Sequence, residues 1–238
     1  MEPKLAWLQS RLELDAAQLK KIVVKHPHLL RQSVESMESN CDWLQRRLGL
    51  NNAGLRKMVL RLPQLLGYSV EDNLELTLEW MQTRLDLDDA GLRKVVLRVP
   101  PLLSCSIEDN MEPTLDWLQT RLDLDDAGLR KIVLALPALL GYSIEDNLAP
   151  KLEWLQMRLD LDGEQLKKVV LGIPPLLGLR VDNMAPKLEF LAREIGLSRP
   201  EIREHVLTTP AILGYSLDTN ATARVSRRAA RPASTRGR

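Results

Sequence analysis

The stretch G-Y-S-V-E-D-N-L-E-L-T-L-E-W-M-Q-T-R-L-D-L-D-D-A-G-L-R-K-V-V-L-R-V-P, from Gly67 to Pro100, decides the fold. Ser69 with Asp72 reads as a capping box, using Asp where Glu is commoner, and Ser106/Asp109 and Ser143/Asp146 repeat it. The helix that follows spaces Leu74, Leu78, Met81 and Leu85 along one face, with Trp80 on the flank of that stripe. Asp86-Leu87-Asp88-Asp89 then breaks and restarts the chain. Asp88 suits an N-cap, and Asp89 sits well on the helix dipole. A second helix turns Leu92, Val95, Val96 and Val99 inward until Pro100 stops it, because proline disfavours helical geometry in the residue before it. Pro101-Leu102-Leu103 reads as a short apolar turn, 3₁₀ in character.

This unit recurs through the chain. The prolines that end the second helices are Pro27, Pro63, Pro100, Pro137, Pro174 and Pro210, spaced by 36, 37, 37, 37 and 36 residues. The large aromatics Trp7, Trp43, Trp80, Trp117, Trp154 and Phe190 keep the same spacings, and Tyr68, Tyr142 and Tyr215 share one further slot. All nine aromatics of the 238 residues therefore fall in two repeat positions, which leaves a core of Leu and Val. A two-helix unit cannot bury its apolar face alone, so neighbours must stack. The fold class is all-α: a helical-repeat solenoid, right- or left-handed, of six units of about 37 residues, each two helices plus a short 3₁₀ turn. Residues 1–218 form the repeat domain, and 219–238 a basic tail of different character.

Three elements of the unit are the string L-P-x-L-L-G-Y-S-[IV]-E-D-N-L at Leu136–Leu148, L-E-W-L-Q-x-R-L-D-L-D at Leu152–Asp162, and L-R-K-[IV]-V-L at Leu129–Leu134. Together they resemble the mitochondrial transcription termination factor (mTERF) family over six consecutive units. The resemblance implies a left-handed superhelix of three-helix units. It further implies binding of double-stranded DNA or structured RNA in mitochondria or chloroplasts, with roles in transcription termination or regulation or in RNA maturation. The sequence departs from the family pattern at Arg31-Gln32-Ser33, Ser104-Cys105-Ser106 and Gly178-Leu179-Arg180. Its opening, Met-Glu-Pro-Lys-Leu-Ala-Trp, is not an Arg- and Ser-rich, acid-poor presequence.

The residues offer little to catalysis. His26 and His28 flank Pro27 at a helix end, where a partly positive imidazole suits the dipole. His205 has no Cys or Ser partner in a recurring pattern, and two cysteines cannot build a zinc site of the usual kind. Cys41 takes the slot of Leu78, Leu115 and Leu152 and reads as a small buried hydrophobe; Cys105 takes the slot of Tyr68. The glycines Gly67, Gly141, Gly178 and Gly214 stand singly before helix starts and form no phosphate loop. The carboxylates of Asp86, Asp88 and Asp89 recur from unit to unit, as caps do and an active site does not. The sequence therefore predicts no enzyme, no metal, no cofactor, no small-molecule substrate and no membrane span, and a monomer.

Binding is the reading that remains. With about 100° per residue and Leu92 at zero, Lys94 and Arg98 fall near 200° and 240°, opposite the apolar stripe. Their register runs through Lys21/Lys25, Lys57/Arg61 and Lys94/Arg98, then Lys131 and Lys168 alone, because Ala135 and Gly172 fill the later slot. A second register is Lys20, Arg56, Arg93, Arg130, Lys167 and Arg203, and a third is Arg11, Arg47, Arg84, Arg121 and Arg158. Stacked, each would make a basic ladder suited to a phosphate backbone. The macrodipole equally favours cations near helix C-termini, so a merely solvated face stays open. The Trp series beside the Leu stripe reads as core packing, which leaves few aromatics for stacking on single-stranded bases.

The net charge of +1 hides a gradient. Residues 1–110 hold 15 basic and 15 acidic groups, residues 111–218 hold 12 and 17, and the last twenty hold six basic and none acidic. A nucleic acid should favour the first three units, with Lys57, Arg61, Lys94 and Arg98 foremost, and the arginines of the tail. Asn220 and Arg224 match the slots of Asn147 and Lys151, as if a seventh unit began. The weak basicity of 1–218 equally suits a protein-interaction scaffold.

Overall fold

The computed structural model describes residues 2–215; the tail 219–238 lies outside the described residues. The fold is all-helical. Six repeats succeed one another, each with two α-helices and a closing 3₁₀ turn. The first helices are α1 Glu2–Arg11, α3 Val34–Leu48, α5 Leu76–Leu85, α7 Glu112–Leu122, α9 Ala149–Leu159 and α11 Val181–Arg193. The second helices are α2 Ala16–Lys25, α4 Asn52–Arg61, α6 Asp89–Arg98, α8 Asp126–Ala135, α10 Gly163–Gly172 and α12 Arg199–Thr208. The 3₁₀ turns start at each repeat proline, from Pro27–Arg31 to Pro210–Gly214. Two compact units divide between Pro113 and Thr114.

The sequence signals fall where their chemistry places them. Asp86 turns α5 off in the left-handed region at φ 47°, as do Asp123 and Asp160 in their repeats. Asp88 then accepts the amide of Gly91 at 2.7 Å, satisfying one of the orphan donors at the start of α6. Pro100 begins the 3₁₀ turn after Val99, which is the C-cap of α6 and half-buried rather than part of the core. Leu78, Met81, Leu92, Val95, Val96 and Leu103 are at most 1% exposed, so the two stripes form one core within their unit. Cys41, in the equivalent slot of the second repeat, is wholly buried.

Two details differ from the sequence reading. The Ser69/Asp72 pair is half a capping box. The Asp72 amide donates to Ser69 Oγ at 3.1 Å, but the Asp72 carboxylate takes the Ser69 hydroxyl at 2.9 Å instead of reaching back to the backbone. Aspartate is one methylene too short for the return arm, and Ser106 and Ser143 behave alike. Full capping boxes form where Gln or Glu stands at the third position: Asp15/Gln18, Asp162/Gln165 and Ser198/Glu201.

The second difference is that the first turn of three repeats is a π-helix: Val70–Glu75, Ile107–Met111 and Ile144–Leu148. The amide of Leu74 reaches the Ser69 carbonyl, five residues back, at 3.2 Å, and Met111 and Leu148 do the same to Ser106 and Ser143. The cause lies in the spacings. From cap to aromatic these repeats carry one residue more than the second repeat, which runs from Ser33 to Trp43. There Met37 bonds to Ser33 in the ordinary α pattern. A wide turn absorbs the extra residue and keeps Leu74 in the core.

Candidate nucleic-acid interface

The three basic registers look alike in sequence and separate in the structure. The third register joins repeats. Arg11 Nε lies 2.6 Å from Glu38 Oε1 and its Nη2 2.9 Å from Asp42, while Trp7 Nε1 donates to the other oxygen of Glu38 at 2.7 Å. Arg84 and Trp80 repeat this grip on Glu112, both at 2.6 Å. Arg47 holds Glu75 at 3.0 Å and Gln82 at 2.6 Å, and Arg121 holds Gln156 at 2.7 Å. Arg158 has no such partner among the described residues, because Pro186 stands in the carboxylate position. The tryptophans are half-buried rather than core residues, and Trp7 and Trp80 grip the next repeat. The indole N–H of these two is satisfied by a carboxylate, as partly buried Trp requires.

The second register closes the turn of the preceding repeat. Arg56 donates to the carbonyl of Glu13, Arg93 to that of Gly49 at 3.1 Å, Lys167 to that of Asp123, and Arg203 to that of Asp160 at 3.0 Å. Each acceptor is the residue with positive φ after a first helix. The cation thus caps carbonyls that the helix end leaves unpaired and offsets the negative end of the dipole.

The first register is what remains. Lys21, Lys25, Lys57, Arg61, Lys94, Arg98, Lys131 and Lys168 are all exposed. Seven of them make no side-chain hydrogen bond or ion pair among the described residues. Arg61 alone is engaged, donating through Nη1 to the carbonyl of Arg98 at 2.8 Å and so capping α6. In the unit ending at Pro113, Lys21/Lys25, Lys57/Arg61 and Lys94/Arg98 occupy equivalent exposed positions of α2, α4 and α6. In the other unit, Lys131 and Lys168 line one concavity of about 590 Å³ with Glu164, Gln165, Lys167, Leu171 and Gly172.

The small residues of the later slot differ in kind. A Cβ on Gly172 would stand 2.7 Å from Cγ of Pro210, a rigid ring, so packing forbids a side chain there. Ala135 is half-buried and already carries a Cβ.

The histidine reading needs correction. His26 is the C-cap of α2, its N–H bonded to the Ile22 carbonyl at 2.8 Å. Burial, then repulsion from His28 and Lys25, pushes its pKa below the ordinary imidazole value. That shift works against the partial positive charge the helix dipole favours. Among the described residues no group of three His, Cys, Asp or Glu is placed to hold a metal, and no helix is long and apolar enough to cross a membrane.

The signal that separates the registers was present in the sequence. Glu38, Glu75 and Glu112 each follow an arginine of the third register by 27 or 28 residues.

A family model, mTERF, matches the chain over residues 1–88 and 81–233. No curated protein matches it.

Proposed function

Because the chain belongs to the mTERF family, we propose that it binds nucleic acid through the exposed register of its second helices. The target is double-stranded DNA or structured RNA, met on its phosphate backbone by Lys21, Lys25, Lys57, Arg61, Lys94, Arg98, Lys131 and Lys168. The observation that carries this reading is the division of labour among the registers: two are spent on joining repeats, and the remaining one, Arg61 apart, is left with charge and no partner. Half-buried tryptophans, two of them bonded to carboxylates, are poor platforms for single-stranded bases, which favours a duplex or a folded RNA. Family membership supports a role in a mitochondrion or chloroplast, in transcription termination or regulation or in RNA maturation.

Fluorescence anisotropy with duplex DNA and structured RNA across a salt series tests it. Phosphate binding gives an affinity that falls linearly on a log–log plot, with a slope of about −0.9 per phosphate neutralised on duplex DNA. Absence of binding at low salt, with capture of a protein partner by the same face, would replace this reading with the interaction scaffold.

A further inference from the structure

One polar slot, three residues before each large aromatic, breaks the apolar stripe of every first helix: Lys4, Asn40, Thr77, Thr114, Lys151 and Lys187. Where the side chain is long enough, it caps carbonyls at the end of the 3₁₀ turn closing the same repeat. Lys4 Nζ donates to Leu30 O at 2.7 Å and to Gln32 O, and Lys187 Nζ to Leu213 O at 2.7 Å. Asn40 Nδ2 meets three carbonyls together: Leu65 O and Leu66 O at 3.2 Å and Tyr68 O at 2.9 Å. Buried Lys151 bridges Leu177 O and Asn147 Oδ1, the latter at 2.7 Å.

In the third repeat the acceptors stay and the donor goes. Asn73 stands in the slot of Asn147, and its Oδ1 is buried with no partner. Leu102, Leu103 and Cys105 hold the slots of Leu65, Leu66 and Tyr68. The residue in the slot of Lys151 is Thr77, only 4% exposed, whose hydroxyl proton is spent on the Asn73 carbonyl at 2.9 Å. Its remaining lone pairs add one more oxygen to the set. A buried acceptor of this kind costs free energy unless something positive or proton-donating meets it.

The geometry points to a monovalent-cation site at Thr77, in which a potassium-sized ion takes the place that the Lys151 ammonium holds in its own repeat. The oxygens are all neutral, from backbone, amide and hydroxyl. Such a set without a carboxylate does not favour calcium or magnesium, which are bound through carboxylates. An ammonium and a potassium ion are close in size, so the space that fits one fits the other. The carbonyls belong to a helical C-terminus, where the backbone dipole attracts a cation.

The test is the melting temperature of the full chain, free of nucleic acid, in potassium, sodium or choline chloride at equal ionic strength. Melting should be highest in potassium, about 2–4 °C above choline, as a weak ligand of the folded state produces. Thr77→Lys should melt higher than the parent in choline and lose the potassium response, its ammonium group now occupying the site. Asn73→Leu, which removes an acceptor without adding a cation, should shrink the response. Equal melting temperatures in the three salts would overturn the site and mean that water satisfies these oxygens. A potassium response undiminished in both variants would overturn its placement.

Discussion

At the scale of single residues, what each slot tolerates depends on what stands behind it. The exposed register lacks its later cation at Ala135 and at Gly172, and only the second gap is enforced by packing. Ala135→Arg should restore a partner for Lys131, tighten duplex binding and steepen the salt slope by about one unit, with melting unchanged. Gly172→Arg must displace the Pro210 ring 2.7 Å from its Cβ, and should lose about 1–3 kcal/mol in a denaturant titration. The two cysteines make a similar contrast. Burial pushes the wholly buried Cys41 thiol up to about 12; burial also raises Cys105, which is only half-buried. At pH 8 a thiol reagent should therefore label one cysteine of the folded protein, slowly, and both after unfolding. Rapid labelling of Cys41 in the native protein would show that its surroundings open.

At the scale of elements, adjacent residues of one helix have different tasks. Arg93 closes the turn at Gly49, while its neighbour Lys94 is exposed and unpaired. Arg93→Ala should lower stability by about 1 kcal/mol and leave nucleic-acid affinity alone; Lys94→Ala should do the reverse. If both substitutions acted on affinity alike, the division between registers would be wrong. The carboxylate shared by Trp80 and Arg84 gives a sharper test, since Glu112→Ala leaves two partly buried donors unmatched. A loss of about 1–3 kcal/mol in melting experiments is the expected outcome.

The same elements mark what could be read in advance. Helix ends were legible because Asp, Ser and Pro act locally, within three or four residues of where they stand. The core stripe was legible because its period is that of the helix. The tasks of the basic residues were not, because charge does not name its partner, and the partners of Arg84 and Arg93 lie 28 and 44 residues away. The π turns were half legible. The alternation of 36 and 37 in the spacings recorded the extra residue, but pattern alone does not say where the chain absorbs it. Deleting Asn73 should convert that turn to the α form of the second repeat with little change in helicity or melting. A comparable deletion at Leu78, inside α5, should unfold the unit, because every apolar side chain beyond it leaves the core.

At the scale of the molecule, charge and not shape distinguishes the two ends of the chain. Six of the eight exposed cations of the proposed interface lie before Pro113, and the second unit adds only Lys131 and Lys168, with Glu164 beside Lys168 in one concavity. Residues 1–218 carry 27 basic and 32 acidic groups, so long-range attraction to a polyanion is weak and close phosphate contacts must supply the affinity. The six arginines of 219–238 oppose that deficit. Two outcomes of a salt series follow. Removing 219–238 should reduce affinity and flatten the slope by no more than about five units, the limit if all six arginines meet phosphates. Reversing Lys57, Arg61, Lys94 and Arg98 to glutamate in that shortened chain should abolish what is left on duplexes of any sequence. If the shortened chain binds as before and the reversal changes nothing, the interface lies on a face other than that of the second helices.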